Sequence, residues 1–130
     1  MSHKFDLENY ALTILSSTTG INGLVAAGVN LNGIIPTGKI AIVTGAVVRM
    51  TAASGLTGSI TMSIGDNTDQ TVLFPSTTLT GFNATTELFE FVAQGTRQTM
   101  IPGNGYKINI STPFGGALVT LAIELFGYFV

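Results

Sequence analysis

Apolar and polar residues alternate along most of this chain, and the alternation is clearest near its end. Between Tyr106 and Thr112 one side carries Tyr106, Ile108, Ile110 and Thr112 and the other Lys107, Asn109 and Ser111. This is the period of a strand wetted on one face. After the turn Pro113-Phe114-Gly115-Gly116, Val119, Leu121, Ile123 and Leu125 share a face of the next strand, while Leu118, Thr120, Ala122, Glu124, Phe126 and Tyr128 share the other. That second strand is apolar on both faces, which places it in the middle of a sheet covered by its own chain or by another subunit. Ile40 to Thr51 has the same character. Its faces read Ile40, Ile42, Thr44, Ala46, Val48, Met50 against Ala41, Val43, Gly45, Val47, Arg49, with Gly45 a point for a bulge or close approach. The two double-faced strands are expected to be neighbours.

The pattern between them predicts shorter strands. Ile60, Met62 and Ile64 point inward from Ser59 to Ile64, Gly65-Asp66-Asn67 turns the chain, and Gln70 to Phe74 forms a strand that Pro75 stops. Ser76 to Thr86 is a Thr-rich excursion with one edge strand, Glu87 to Val92 resumes with imperfect alternation, and Arg97 to Ile101 pairs before the turn Pro102-Gly103-Asn104-Gly105. From Lys39 onward this makes about eight strands, spaced as in an all-β antiparallel sandwich.

Residues 1–36 are patterned differently. Phe5, Leu7 and Asn9 alternate with Asp6, Glu8 and Tyr10, Tyr10 to Leu15 predicts a short strand, and Ser16 to Gly23 is rich in turn formers. Leu24 to Ile35 is apolar but carries Gly28, Asn30, Asn32 and Gly33, so it is expected to be extended or irregular, with a short helix at Asn22 to Ala27 as the alternative. Asn32-Gly33 is a type I′ turn signal. These features predict an N-terminal arm, 1–36, preceding one domain, 37–130.

Composition sharpens the picture in two ways. Of 130 residues 45% are hydrophobic and only 9% charged, against about 25% charged in ordinary domains. Thr, Ser, Asn and Gly replace the missing charge, as on rigid all-β surfaces. The net charge is -2, and Lys4, Lys39, Arg49, Arg97 and Lys107 are scattered, so no basic stripe exists to track a phosphate backbone and direct nucleic-acid binding is excluded. The uncharged span Asn9 to Gly38 is broken by Ser, Thr, Asn, Gly and Pro and lacks the run of about 20 apolar residues needed for membrane insertion. No signal-peptide pattern is visible at the start. The absence of cysteine removes disulfides and thiolate ligands.

Candidate chemistry is sparse. His3 is the one histidine, so a Ser-His-acid relay has no base in the domain. Glu87 and Glu90 fall on opposite faces of a strand. Glu124 stands in an apolar face and is read as a rim or intersubunit ion-pair residue, with Arg49 or Arg97 as partner. Asp66-Asn67-Thr68-Asp69 is oxygen-rich but lacks the spacing of a calcium loop, so turn capping is preferred over ion binding. Gly103, Gly105, Gly115 and Gly116 are turn glycines, with no phosphate-loop Lys following. The triplets at Asn83 and Asn109 match a glycosylation acceptor and carry little weight in so Ser/Thr-rich a chain. Phe74 and Phe82 beside the Thr-rich stretch could present a sugar-stacking surface, although an edge-strand cover is the simpler reading. Catalytic, cofactor-binding and metal residues are all read as none.

The first long strand with Arg49, the Gly-Asp-Asn turn, the Phe/Thr-rich middle, Ile101-Pro102-Gly103-Asn104-Gly105 and the terminal Leu-Phe-Gly-Tyr-Phe-Val resemble small jelly-roll proteins of tailed-bacteriophage particles, the capsid decoration (cement) and head-fibre proteins. The resemblance covers roughly Lys39 to Val130. It implies a jelly-roll-like sandwich and a non-enzymatic homotrimer without cofactors. Such a protein is made in the host cytoplasm and sits on the capsid exterior against the major capsid protein. Deleting Met1 to Gly33 is then expected to weaken assembly more than the sandwich. The alternative is a receptor- or carbohydrate-binding module of a fibre or tail, meeting a glycan or host receptor through Phe82.

Overall fold

The computed structural model describes residues 13–92, 99–100 and 105–130. In chain order the strands are β1 Thr13–Asn22, β2 Ala27–Asn30, β3 Ala41–Ser54, β4 Thr61–Asp66, β5 Phe74–Thr78, β6 Leu88–Val92, the two-residue β7 Thr99–Met100, β8 Tyr106–Thr112 and β9 Leu118–Phe129. All pairings are antiparallel. One sheet, here sheet A, has the order β1-β9-β3-β6 with β7 also on β3; the other, sheet B, has the order β2-β8-β4-β5.

The pairs β1:β9, β2:β8, β3:β6 and β4:β5 make one long antiparallel ribbon whose apex is the β4–β5 turn. Rolling that ribbon brings β9 against β3 and β8 against β4, which closes the two sheets face to face. The result is a jelly-roll-like sandwich. The expected neighbours β3 and β9 are its main seam, paired from Ala41↔Phe129 to Ser54↔Leu118 with register shifts at Val43/Gly45 and Met50/Ala52.

Between the sheets lies one apolar core. Ala41, Val43, Ala46, Val48 and Met50 of β3, Val119, Leu121, Ile123 and Leu125 of β9, Met62 and Ile64 of β4, and Tyr106, Ile108 and Ile110 of β8 all point into it. Each fully buried aliphatic side chain contributes about 1.5–3 kcal/mol relative to exposure. Phe74 of β5 meets Phe91 of β6 at 5.4 Å between ring centres, joining the sheets on that side.

Several expectations change. Ser16 to Asn22 forms no turn, the turn beginning at Gly23; β1 runs through this segment, held by β9, with register shifts at Ile14/Ser16 and Thr18/Ile21. Those bulges let Leu15, Ser16, Thr18 and Ile21 all be buried, which hides the alternation. The segment 13–36 is therefore part of the sandwich: β1 edges sheet A, β2 edges sheet B, and Leu15, Ile21, Leu31 and Ile35 enter the core. Deleting Met1 to Gly33 would remove a strand from each sheet, so it does not separate assembly from folding. Residues 1–12, where the rest of the expected arm and His3 fall, lie outside the described residues.

Asn32-Gly33 joins no hairpin. Gly33 does take φ 114°, but on the crossover toward β3, where an added Cβ would stand 2.6 Å from the Leu15 carbonyl oxygen. The Asn32 amide donates to Thr18 Oγ1 at 2.8 Å, fastening this crossover to β1.

In β3, a shift between Val43 and Gly45 puts Ala41 and Val43 on the same inward side as Ala46, Val48 and Met50. Gly45 is the bulge that its position suggested. Residues 70–73 are not a strand; β5 begins at Phe74 and includes Pro75, which an edge strand tolerates because it has a ladder partner on one side alone. β8 and β9 are joined by their Pro/Gly turn but lie in different sheets. Of the expected Arg97–Ile101 strand, Thr99 and Met100 pair with Ile42 and Ala41. Gln94-Gly95 and Pro102-Gly103-Asn104 lie outside the described residues.

Candidate interaction surface

The outward side of sheet A is built from three strands that are apolar on both faces. Side by side across it stand Ile14, Phe126, Gly45 and Val92, and in the next row Ser17, Glu124, Val47 and Glu90. The row beyond holds Ala122, Arg49 and Leu88. Ile14, Leu88, Val92 and Leu118 are 57%, 56%, 59% and 47% exposed. Large aliphatic side chains this open, on one continuous face, are what an interaction surface presents.

Among the described residues, the charged groups on this face are Arg49, Glu124 and Glu90. Arg49 Nε lies 3.4 Å from Glu124 Oε1, the ion pair expected of Glu124, made within the chain. A single contact between partly exposed groups is worth about 0.2–1 kcal/mol. Arg49 lies diagonal to Glu90 as well as to Glu124, within reach of a long side chain. Arg49 pairs with Glu124, and Glu90 makes no ion pair among the described residues. Glu87, just outside the sheet, turns Oε1 to accept from the Asn83 amide at 2.9 Å. With Thr51, Thr85, Thr86, Leu88 and Arg49 it borders an open depression of about 390 Å³.

Sheet B presents a different outward side, with Lys107, Asn109 and Ser111 of β8 and Gly28 of β2, while Ser63 of β4, paired with Asn109, is fully buried. Asn109, one of the two glycosylation triplets, is therefore inside a central strand, whereas Asn83 is in the exposed loop.

The remaining candidates resolve locally. Asp66 Oδ1 accepts from the amides of Thr68 and Asp69 at 2.8 and 2.7 Å. Asp69 Oδ1 accepts from the Thr71 hydroxyl at 2.6 Å and its amide at 2.9 Å. These hydroxyl and amide bonds hold the Asp69 carboxyl below its ordinary value. Both carboxylates work as turn caps, and no group of three or more His, Cys, Asp or Glu suited to a metal occurs among the described residues. Phe74 and Phe82 do not form a stacking surface: they are 5% and 2% exposed, and Phe82 packs on Phe114 at 6.3 Å. The Thr-rich stretch conceals a core ring. Gly115 and Gly116 shape the β8–β9 connection, where Gly115 bridges Thr57.

Sequence reading did not single out Leu88, Val92 or Ile14. The signal was present for β6, since Leu88-Phe89-Glu90-Phe91-Val92 has apolar residues on both sides like β3 and β9.

No protein-family profile matches the sequence, and no curated protein matches it. Among solved structures, the chain is similar to one from the cyanophage Pam1 capsid asymmetric unit, with a TM-score of 0.59 and 17% identity, over 92% of this chain and 85% of that one. At that identity the likeness is one of fold. Because both chains are covered almost throughout, they are of similar length.

Proposed function

We propose that this chain is a non-enzymatic structural protein of a virion, a homo-oligomer, with three copies the expected number, that decorates and stabilises a bacteriophage capsid from outside against its major capsid protein. The observation that carries the reading is the outward side of sheet A, where three adjacent strands are apolar on both faces and nothing in the described chain covers them. A domain built this way gains from a partner that removes the face from water, at about 25 cal/mol per Å² of apolar area. The fold likeness to a capsid chain of similar length supplies the setting. A charged share of 9% suits a protein that works in an assembly.

The test is native mass by multi-angle light scattering, first on the protein alone and then mixed with capsids that lack it. A stable oligomer that adds to shells in fixed stoichiometry supports the reading. A monomer that ignores shells overturns it. The alternative of a glycan-binding module loses its stated platform, because the Phe82 ring is in the core.

A further inference from the structure

Eight large hydrophobic side chains are exposed among the described residues, and seven of them fall on two patches. Ile14, Leu88, Val92 and Leu118 are on the outward side of sheet A. Ile34, Ile40 and Val130, exposed 85%, 37% and 53%, surround the crossover that enters β3. In that crossover the Lys39 amide donates to the Pro36 carbonyl, and Ile40 and Val130 exchange both backbone hydrogen bonds at 2.9 Å. The result is a short, braced projection at the end of the sandwich. Ile34 and Ile40 flank its exposed Pro36-Thr37-Gly38 turn, and its one charge is the exposed Lys39.

We propose that the Ile34–Ile40 projection of one copy docks on the outward side of sheet A of the next copy, with Lys39 meeting Glu90. This inference rests on the homo-oligomer reading above and adds the two surfaces that make the contact. The charges are complementary: on the sheet face Arg49 pairs with Glu124, and Glu90 makes no ion pair among the described residues, while the projection brings one cation in an apolar setting. The same face on two copies would set the two Glu90 carboxylates against each other, so a face-to-face pair is disfavoured. The contact cannot be made within one chain. Lys39 precedes the start of β3, and Val47, the neighbour of Glu90, lies eight residues further along, about 25 Å at ~3.3 Å per residue. A lysine side chain spans a small part of that.

Because the two patches differ, each copy donates one and receives the other. Such a heterologous contact closes into a ring when the rotation between copies permits. The other described lysine, Lys107, does not compete for the role: its side chain lies along Gly28 on sheet B, away from any exposed aliphatic cluster.

The experiment uses the full chain and reads mass by light scattering across a dilution series, with thermal melting to confirm folding. Lys39→Glu and Glu90→Lys are each expected to weaken association by at least about tenfold while melting within a few degrees of the parent. The double variant Lys39→Glu/Glu90→Lys, which exchanges the two charges, is expected to recover it. Ile34→Ser, a change at an 85% exposed site, is expected to weaken association with folding intact, and it guards against misreading a charge variant that folds poorly. If Lys39→Glu and Ile34→Ser both keep the parental mass series, the docking inference is overturned and the homo-oligomer reading stands. If the folded double variant fails to recover, the Lys39–Glu90 pairing is overturned. A parent that is monomeric throughout overturns both.

Discussion

Gly127 sits where the β3:β9 seam is tightest, and replacing it with alanine tests whether that seam holds the sandwich together. It is paired with Thr13 of β1 on one side and with Val43 of β3 on the other, next to the shift between Val43 and Gly45. A Cβ at this position would fall on the Ile42 carbonyl oxygen and stand 2.8 Å from Leu15 Cδ1. The obstacle on one side is main chain, which no rotamer change relieves, so the strands must spread or the bulge must move. Overpacking of a tight core costs about 1–3 kcal/mol, and a backbone obstacle points to the upper end. At roughly 4 °C per kcal/mol for a domain of this size, Gly127→Ala should lower the melting temperature by about 12 °C. The control is Gly81→Ala: Gly81 has φ 76° with nothing within 4 Å of an added Cβ, so backbone strain alone applies, about 1 kcal/mol. Both variants would be melted by differential scanning fluorimetry and unfolded in urea. Equal shifts for the two would refute the reasoning, since they would mean that the seam around Ile42 has room.

Two further outcomes follow from buried rings. Phe82→Ala, at a residue 2% exposed against Phe114, should cost about 3–5 kcal/mol in urea unfolding; a loss under 1 kcal/mol would return that ring to the surface and with it the stacking surface. The Tyr106 phenol is wholly buried with no hydrogen-bond partner, and burial pushes it up to about 12. The folded state therefore holds this proton more tightly than the unfolded chain, whose phenol ionises near 10. The contribution is intact below pH 10 and is lost as pH rises from there toward 12. Tyr106→Phe should match the parent at neutral pH or exceed it slightly, and should lose less stability between pH 10 and 12, as followed by circular dichroism; identical alkaline profiles would contradict the burial.

What could be read from the sequence was set by how regular each strand is. β8 and β9 are regular over their inward positions: period alone groups Ile108 with Ile110 on one side of β8 and Leu121 with Ile123 on one face of β9, and all four are buried. β1 was illegible because two bulges within ten residues bury Ser16 and Thr18 beside Leu15 and Ile21. Its Ser-Ser-Thr-Thr-Gly run then carries the composition of a turn on the path of a strand. In β3 a single bulge at Gly45 reversed the facing of Ala41 and Val43 while leaving the strand itself recognisable. Phe82 was misplaced for a different reason. It is one inward ring in a polar stretch, and no local pattern announces that Leu79 and Phe82 turn back into the core beside Phe114.

The candidate surface follows the same logic from the opposite direction. β3 and β9 were recognised as apolar on both faces, and that excess has no use in a sandwich whose sheets each need one buried side. Antiparallel pairing sets β1, β9, β3 and β6 side by side, so the excess falls on one side of one sheet. Sheet B carries Lys107, Asn109 and Ser111 on the outward side of β8, polar side chains where sheet A has aliphatic ones. On the proposed reading, the asymmetry between the two outward sides gives them opposite environments, sheet A toward a partner and sheet B toward solvent. A serine substitution at Val92 should therefore disturb association and leave the melting temperature nearly unchanged. Conversely, an isoleucine at Asn109 would add a second apolar face and lower solubility without strengthening the oligomer.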